Sequence, residues 1–496
     1  RLRVGGPGPE GGAAGLLAPG RGGGNLISAS WDRVFEDSAV QLPDYFLADI
    51  PDPTALSPAV LTDACLALKS NRRRFLANRT TADLIDVVAR LAGDWMDPDN
   101  PFRREALEFG PVATGFSPET IATGLDAFFE SLTVENLREL VLQDLGHPHR
   151  LERLTAGENE SGRERLGFAR GPELLVHIAG GVLPNPPLVS LVLGLLTRSA
   201  QLVKCASGTS FFPRLFAHSL HEVEPKLGAC LEIAEWKGGT SAFESVLFAQ
   251  ADCISAMGED ATLTAIRERL PPGTRFLGYG SRVSFGYVAQ EALSKHAAPR
   301  LAAAAAEDVA AWNQMGCLSP HVFYVENGGS VMPERFAGML ASALAAHEQS
   351  QPRGPLPAPA AAAISSRRAF YEVRAAHSNE TQLWSSSGST DWTVVFESDP
   401  RFQFSCLNRF VYVKPVANIN EALQGADAIR GKVSTVGLAA SGTSEQGLAQ
   451  CLAQWGVTRI CPLGRMQRPP LAWRHDGRPS LGDLVTWTDW ELPSRW

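Results

Sequence analysis

A thiol set between a helix end and a strand start is the group in this sequence best placed for covalent chemistry. It is Cys317, in "AAWNQMGCLSPHVFYVE", residues 310–326. A free cysteine is usually a small buried apolar group, and Cys65, Cys230, Cys253 and Cys451 are read that way. Cys317 differs. It follows Gly316, sits in a loop, and leads through Leu-Ser-Pro into an alternating apolar strand. Loops braced by rigid elements carry reactive groups more often than element interiors do. The Ala-rich helix before it would present a negative C-terminal end, which raises a nearby thiol pKa. Activation must then come from elsewhere, and spacing alone leaves both a nucleophile and a structural thiol open.

Two further residues stand where ligands bind. In "LVKCASGTS" Lys204 lies at the carboxyl end of a strand, outside which open α/β sheets bind their ligands. A lysine there meets phosphate or ribose oxygens as a point charge; the plain alternative is a surface lysine. In "CISAMGEDATLTAI" Gly258 lets backbone approach a ligand, and the next helix offers free N–H groups. Any doubly wound sheet has such turns. There is no GxxxxGK[ST] loop, and no strand ends in GxGxxG. None of the eight cysteines pairs as C-x-x-C or neighbours a histidine cluster, so no metal site is expected.

The elements that must hold these residues follow from periodicity. Between residues 25 and 170 the apolar spacing is helical, with Ser/Thr caps before "PAVLTDACLALKSN" and "TADLIDVVARLAGDWM". From 173 to 277 short strands alternate with helices, which predicts a parallel, doubly wound sheet. A second α/β block follows. In it, 297–315 is read as one helix and the Pro/Ala stretch 351–363 as a loop whose alanines could start the next helix. The expected division is a disordered segment 1–24, a helical and cofactor-binding region 25–277, a catalytic region 278–465, and a C-terminal arm 466–496.

At 496 residues, 44% apolar and 20% charged, the composition is that of a globular protein with a large core. A net charge of −8 without a dominant basic stripe argues against nucleic-acid binding. Arg72, Arg73 and Arg74 are read as a solvated face, and the arginines at 459, 465, 468, 474 and 478 as surface charge. No apolar run reaches the ~20 residues a membrane span needs; "PPLVSLVLGLL", 186–196, reads as a buried helix. Scattered cysteines point to reduced thiols and a cytoplasmic location.

Several segments in order resemble the LuxC-type acyl-CoA reductases, a branch of the aldehyde dehydrogenase superfamily. The nucleophile segment is the Cys317 stretch. "HIAGGVLPNPPLVSLVLGLLTRSAQLVKCAS" is similar to the segment joining acyl pocket and cofactor, and "NRFVYVKPV", "VSTVGLAA" and "GVTRICPLGRMQRPPLAWRHDGRPSLGDLVTWTDWE" to the C-terminal signature. The likeness covers about 173–491. It implies an aldehyde-dehydrogenase-like α/β fold, with a doubly wound cofactor domain, an α/β catalytic domain and a C-terminal arm that can serve oligomerisation.

It also implies a reaction. Cys317 would attack a long-chain fatty acyl thioester carried by CoA or by a protein, and the acyl-Cys317 thioester would be reduced to aldehyde with NADPH. Asn185 and the Cys317 backbone N–H are the implied oxyanion donors; a helix N-cap is the alternative for Asn185, and Gly181 competes for the asparagine slot. Lys204 would meet the adenosine ribose. Ser207 stands where NAD-preferring relatives carry a repelling glutamate, which favours the 2′-phosphate. Gly258 would lie near the pyrophosphate. "RFLGYGSRVSF" lacks the carboxylate that activates hydrolytic water in aldehyde oxidisers, as suits a reductase. His475 and Asp476 are read as structural. Implied partners are an acyl-protein synthetase and further copies of the chain. The competing readings are a CoA-acylating dehydrogenase of a smaller aldehyde, a non-catalytic scaffold for a synthetase, and a cysteine hydrolase, for which strand-borne His321 would point the wrong way.

Overall fold

The structure, a computed structural model, describes residues 43–50, 55–157, 165–442 and 444–492. The segment 1–24 lies outside the described residues.

The N-terminal third is helical, and side chains cap its helices. Ser57, Thr80, Asn100, Ser117 and Thr133 each accept a backbone N–H from the first turn of the helix they precede, satisfying donors that would otherwise be orphaned. Four of these helices, spanning residues 81–145, bury Leu84, Val88, Leu125, Leu137 and Leu140 against the helices Asn185–Leu196 and Phe211–Val223 in one core. Arg72 belongs to this packing and not to a solvated face. It is buried, and its Nε donates to the Arg198 carbonyl; Arg73 and Arg74 are exposed.

Five parallel strands form the first sheet: β2 (Leu174–Ile178), β3 (Ala200–Cys205), β4 (Leu231–Glu235), β5 (Cys253–Met257) and β6 (Arg275–Tyr279). Their spatial order is β4-β3-β2-β5-β6. The chain therefore reverses direction across the sheet between β2 and β5, and a crevice opens outside their carboxyl ends. Gly180 follows β2 there. A Cβ on it would lie 2.6 Å from the Met257 carbonyl oxygen at the end of β5, so the two strand ends close only around a glycine.

The second sheet has seven strands: β7 (Val283–Val288), β8 (Pro320–Glu326), β9 (Thr381–Ser385), β10 (Thr393–Glu397), β11 (Phe410–Val416), β12 (Val433–Ala439) and β13 (Arg459–Pro462). The order is β13-β12-β7-β8-β11-β10-β9, parallel except for β9. β8 and β12 are buried at every position, as near-continuous apolar runs require of strands covered on both faces. The helix expected over 297–315 ends at Ala310. Residues 358–377 are helical rather than the loop expected at their start. Prolines explain this: Pro357 is the N-cap, and Pro359 sits in the first turn, where its missing N–H is no loss.

The tail returns on its own chain. β14 (Thr486–Glu491) pairs antiparallel with β1 (Arg165–Arg170) in a two-stranded ribbon that leaves Trp487 and Trp490 exposed. Of the five arginines before it, Arg465, Arg468 and Arg474 are exposed as expected, but Arg459 and Arg478 are not plain surface charge. Arg459 is buried and donates to the Met466 and Arg465 carbonyls. Arg478 lies 4.3 Å over the Tyr279 ring and bonds the Gly278 carbonyl. Among the described residues no helix is long and apolar enough to cross a membrane.

Candidate active site

Cys317 comes to its place through unusual backbone. Trp312, Asn313 and Gln314 all have left-handed φ, at 50°, 51° and 64°. Such angles cost non-glycine residues roughly 1–2 kcal/mol each, and persist only when the surroundings over-determine them. The bracing is a second left-handed triplet, Leu407, Asn408 and Arg409. Asn408 N–H donates to the Asn313 carbonyl, and Arg409 Nε to Asn313 Oδ1 at 3.1 Å. Gln314 clasps the strands on either side, donating to the Pro320 carbonyl and accepting from Phe410 N–H. Arg409 is wholly buried and pairs with Glu348 at 2.6 Å. The Cys317 carbonyl accepts from Ser284 Oγ on β7 at 2.7 Å. The loop is a rigid bracket.

The thiol opens into a cavity of ≈ 1350 Å³, mouth included, between the two sheets and the C-terminal arm. Asn185 lines it, as do Phe128, Leu183, Val189, Leu193 and Leu471. Gly181 does not; it lines a smaller crevice beyond β2 and β3. Asn185 is the first residue of its helix and is not its N-cap; Pro184 is. Its Nδ2 donates to the Gly124 carbonyl at 3.0 Å. That bond fixes the amide orientation and uses one N–H of Nδ2, while Oδ1 is buried without a partner among the described residues. Gly124 is also required by Trp312, whose ring would lie 1.9 Å from a Cβ there. One glycine thus joins the nucleophile bracket to Asn185. Gly316 is a different case, since a Cβ on it would meet nothing closer than 3.6 Å. The room beside Cys317 does not depend on that glycine.

Although exposed to the cavity, Cys317 lies deep in the protein. Loss of solvation pushes its pKa up to about 11, and the Asp476 charge adds to the rise; its own backbone N–H and Arg282 oppose it. The rise expected from helix polarity is present, but burial and Asp476 cause it. Asp476, itself at a left-handed φ of 53°, pairs with Arg282 at 3.1 Å. The neighbouring His475 lines the cavity, stacked 4.7 Å from Tyr279 and tilted against Trp473 at 4.8 Å. Burial lowers its pKa, with Asp476 opposing, so near neutral pH it is an uncharged imidazole. His475 and Asp476, read from sequence as structural, are therefore part of this site. Their signal was an ionisable pair in a Trp-rich segment, 158 positions from the thiol along the chain. His321 is elsewhere, bonded to Ser405.

Lys204, Ser207 and Gly258 sit apart from the thiol, at the carboxyl ends of β3 and β5. Lys204 is buried, with Nζ 5.7 Å over Trp236. Burial lowers its pKa, and Glu244, Cys205 and Glu235 oppose this. Ser207 is exposed in the turn that follows. Nothing local in the sequence signals Glu235, which reaches that turn from β4 and accepts from Gly208 and Ser210 N–H. Gly258 leads into the helix Asp260–Arg267, where Asp260 is held by Ser281 N–H and faces Lys432 at 3.6 Å. A crevice closed by Gly180, with a buried lysine at its edge, fits a dinucleotide. The carboxylates of Glu259 and Asp260 fit a pyrophosphate at that helix start less well.

The family described as acyl-CoA reductase (LuxC) matches residues 76–487. The long-chain acyl-protein thioester reductase of Photorhabdus laumondii is 24% identical over 327 residues, covering 65% of this chain and 64% of that one. The namesake in Photorhabdus luminescens is 24% identical over 423 residues, 84% and 83% of the two chains. The chain thus spans less than two thirds of the first relative and more of the second. Among solved structures, an NAD-dependent benzaldehyde dehydrogenase from Corynebacterium glutamicum has a TM-score of 0.64 at 14% identity, over 88% of this chain and 91% of that one. An NADP-dependent glyceraldehyde-3-phosphate dehydrogenase from Bacillus halodurans has 0.63 at 13%, over 88% and 92%. These likenesses establish the aldehyde-dehydrogenase fold, and the match across residues 76–487 places the chain in the LuxC acyl-CoA reductase family.

Proposed function

We propose that the protein reduces a long-chain fatty acyl thioester to the fatty aldehyde, using NADPH, through an acyl-Cys317 intermediate. The observation that carries this reading is the cavity: a thiol opens into a largely apolar chamber whose lining contains no carboxylate. An aliphatic chain fits such walls, and they lack the carboxylate that activates hydrolytic water in aldehyde oxidisers. The curated relatives named above are long-chain acyl-protein thioester reductases, which supports the same substrate class.

Cys317 sulfur adds to the thioester carbonyl, and its proton passes out with the departing CoA or carrier thiol. The developing oxyanion is met by the Cys317 backbone N–H and the free N–H of Asn185. His475, neutral and in the same chamber, is the group able to carry that proton. Lys204 and the glycines after β2 and β5 hold the nucleotide, and exposed Ser207 leaves space for a 2′-phosphate. NADPH, when bound, supplies the hydride that releases the acyl group as aldehyde and frees the thiolate. Sulfur suits both halves of the cycle, as nucleophile and as leaving group. The donor is CoA or an acyl-carrying protein delivered by a synthetase, and the enzyme works in the cytoplasm as a homo-oligomer.

The test is sequential. Radiolabelled palmitoyl-CoA without cofactor should label the protein, Cys317→Ala should abolish the label, and NADPH should chase it to aldehyde faster than NADH does. A label chased to free acid without NADPH would mean a hydrolase. No label from CoA or protein donors would mean a scaffold. Labelling by short acyl-CoA alone would mean a dehydrogenase of smaller aldehydes.

A further inference from the structure

One wall of the Cys317 cavity is a helix seen along its length. Asn185, Val189 and Leu193, on the helix Asn185–Leu196, all line it. They recur every four residues, so they form one stripe down a single helix face. Asn185 stands at the thiol end. With Trp312 and Gln467 it divides this cavity from the neighbouring one, and Gln467 donates to Ser319, two residues beyond Cys317. Leu193 stands at the other end. It packs with Leu484, which also lines the cavity, on a cluster of Leu175, Cys253 and Leu277 from β2, β5 and β6. Neither leucine takes part in the chemistry above.

Regular geometry gives the depth twice over. From position 185 to position 193 is eight helical steps of about 1.5 Å, or about 12 Å. Along β5, Met257 lines the cavity at the carboxyl end, Ser255 lines it midway, and Cys253 backs the floor. Those four strand steps of about 3.3 Å make about 13 Å. The floor is held firmly. Arg275 Nη1 donates to the Asp483 and Val485 carbonyls at 2.9 and 2.8 Å, on either side of Leu484, and Leu481 N–H donates to Asp144 at 2.7 Å. The walls also carry hydroxyls. Those of Ser131, Ser190 and Ser480 already donate to nearby backbone carbonyls, so they bring no unmet donor to an aliphatic chain.

We propose that Leu193 and Leu484 are the floor of a ruler that fits acyl chains of about ten to twelve carbons, with the carbonyl at Cys317. An extended alkyl chain, with C–C bonds of about 1.5 Å bent near 111°, advances about 1.3 Å per carbon, so about nine or ten carbons beyond the carbonyl fill the depth. The inference rests on the acyl-thioester reading and sets its chain length. A palmitoyl chain enters only by crowding the floor or folding back.

Single-turnover labelling of Cys317 with sub-saturating, even-numbered acyl-CoAs from hexanoyl to stearoyl tests this. All carry the same CoA, so contacts to the pantetheine arm cancel. The rate should climb by up to about 4-fold per added methylene as apolar surface is buried, and peak at about ten to twelve carbons. Palmitoyl-CoA should still label, but about 10-fold more slowly than the best chain, the scale of an overpacked core. Leu484→Ala should move the peak about two carbons longer, and Val189→Trp, four helical steps from Asn185, should bring it down to about six carbons. A merely structural loss would lower every rate and leave the peak in place. The proposal is overturned by a peak at or below about eight carbons or at or above about fourteen, by no peak at all, or by a peak that the folded variants do not move. Should neither variant fold, the peak in the unaltered protein decides. Should no thioester label Cys317, the acyl-transfer reading itself fails. The chain-length profile of free fatty acids binding to Cys317→Ala, read by calorimetry, then still decides the ruler.

Discussion

The five-stranded and seven-stranded sheets meet at one cavity, yet they furnish it in opposite ways. The smaller sheet lines it with uncharged side chains, His177, Ser255, Met257 and Tyr279, and closes beside it where Gly180 meets the Met257 carbonyl. Each sits at or near the end of a simple strand–turn–helix unit, positioned by its own strand. The larger sheet offers a thiol on strained backbone, held by residues about 95 positions away in the chain. A ligand cradle can be made from local turns, whereas a nucleophile held against steric preference needs tertiary bracing.

The sharpest way to break this contrast is Cys317→Ala. If the larger sheet holds the only group that forms the acyl-enzyme, labelling and aldehyde formation should fall by more than about 1000-fold, as loss of a covalent nucleophile does. Near-ultraviolet circular dichroism and melting temperature should stay unchanged. Residual labelling of another cysteine would dissolve the contrast.

The bracket itself comes next. Arg409→Met removes a buried guanidinium, leaves Glu348 unpaired and frees Asn313 Oδ1. Breaking a buried pair costs about 3–5 kcal/mol, so the urea midpoint should drop markedly. Even where the protein remains folded, Cys317 acylation should slow by about 100-fold, the scale of a small misplacement of a reacting group. Normal acylation in the folded variant would show that the left-handed triplets are incidental.

The smaller sheet is probed by Gly180→Ala. The new methyl would stand 2.6 Å from the Met257 oxygen, forcing β2 and β5 apart at a cost of about 1–3 kcal/mol. NADPH affinity by calorimetry should weaken by about 10-fold or more, while acylation by acyl-CoA without cofactor persists. Equal loss of both steps would mean that the two sheets do not divide the work.

This division also explains what was legible in the sequence. The strand-end places of Lys204 and Gly258 and the strand–helix alternation of the first block could be read because both are local signals. Cys317 could be singled out by its loop, but its bracket could not. Leu407, Asn408 and Arg409 look like an ordinary approach to "FVYVKPV", and nothing local says they turn left-handed. Gly124 looks like any helix glycine until Trp312 and Asn185 are packed on it. Glu235 reaches the Ser207 turn from a neighbouring strand, and β14 finds β1 from 321 positions away.

The smallest expected effect concerns the charges around the thiol, and it asks whether the larger sheet's side is tuned as well as braced. Burial and then Asp476 raise the Cys317 pKa to about 11, while Arg282 pulls it down. Near neutral pH almost all of the sulfur is then protonated, so alkylation by iodoacetamide should be slow and should rise with pH to beyond 10. Asp476→Asn removes the raising charge and also leaves Arg282 unpaired, and both changes favour thiolate. The alkylation profile should shift to lower pH, with the rate at a fixed pH near 8 up several-fold, reaching about 10-fold if one pKa unit is lost. Arg282→Gln should move it the opposite way. If both variants leave the profile in place, the pair acts only as a clamp on the arm. A downward shift in Asp476→Asn without faster acyl-Cys317 formation would mean that proton removal, through His475, does not limit acylation.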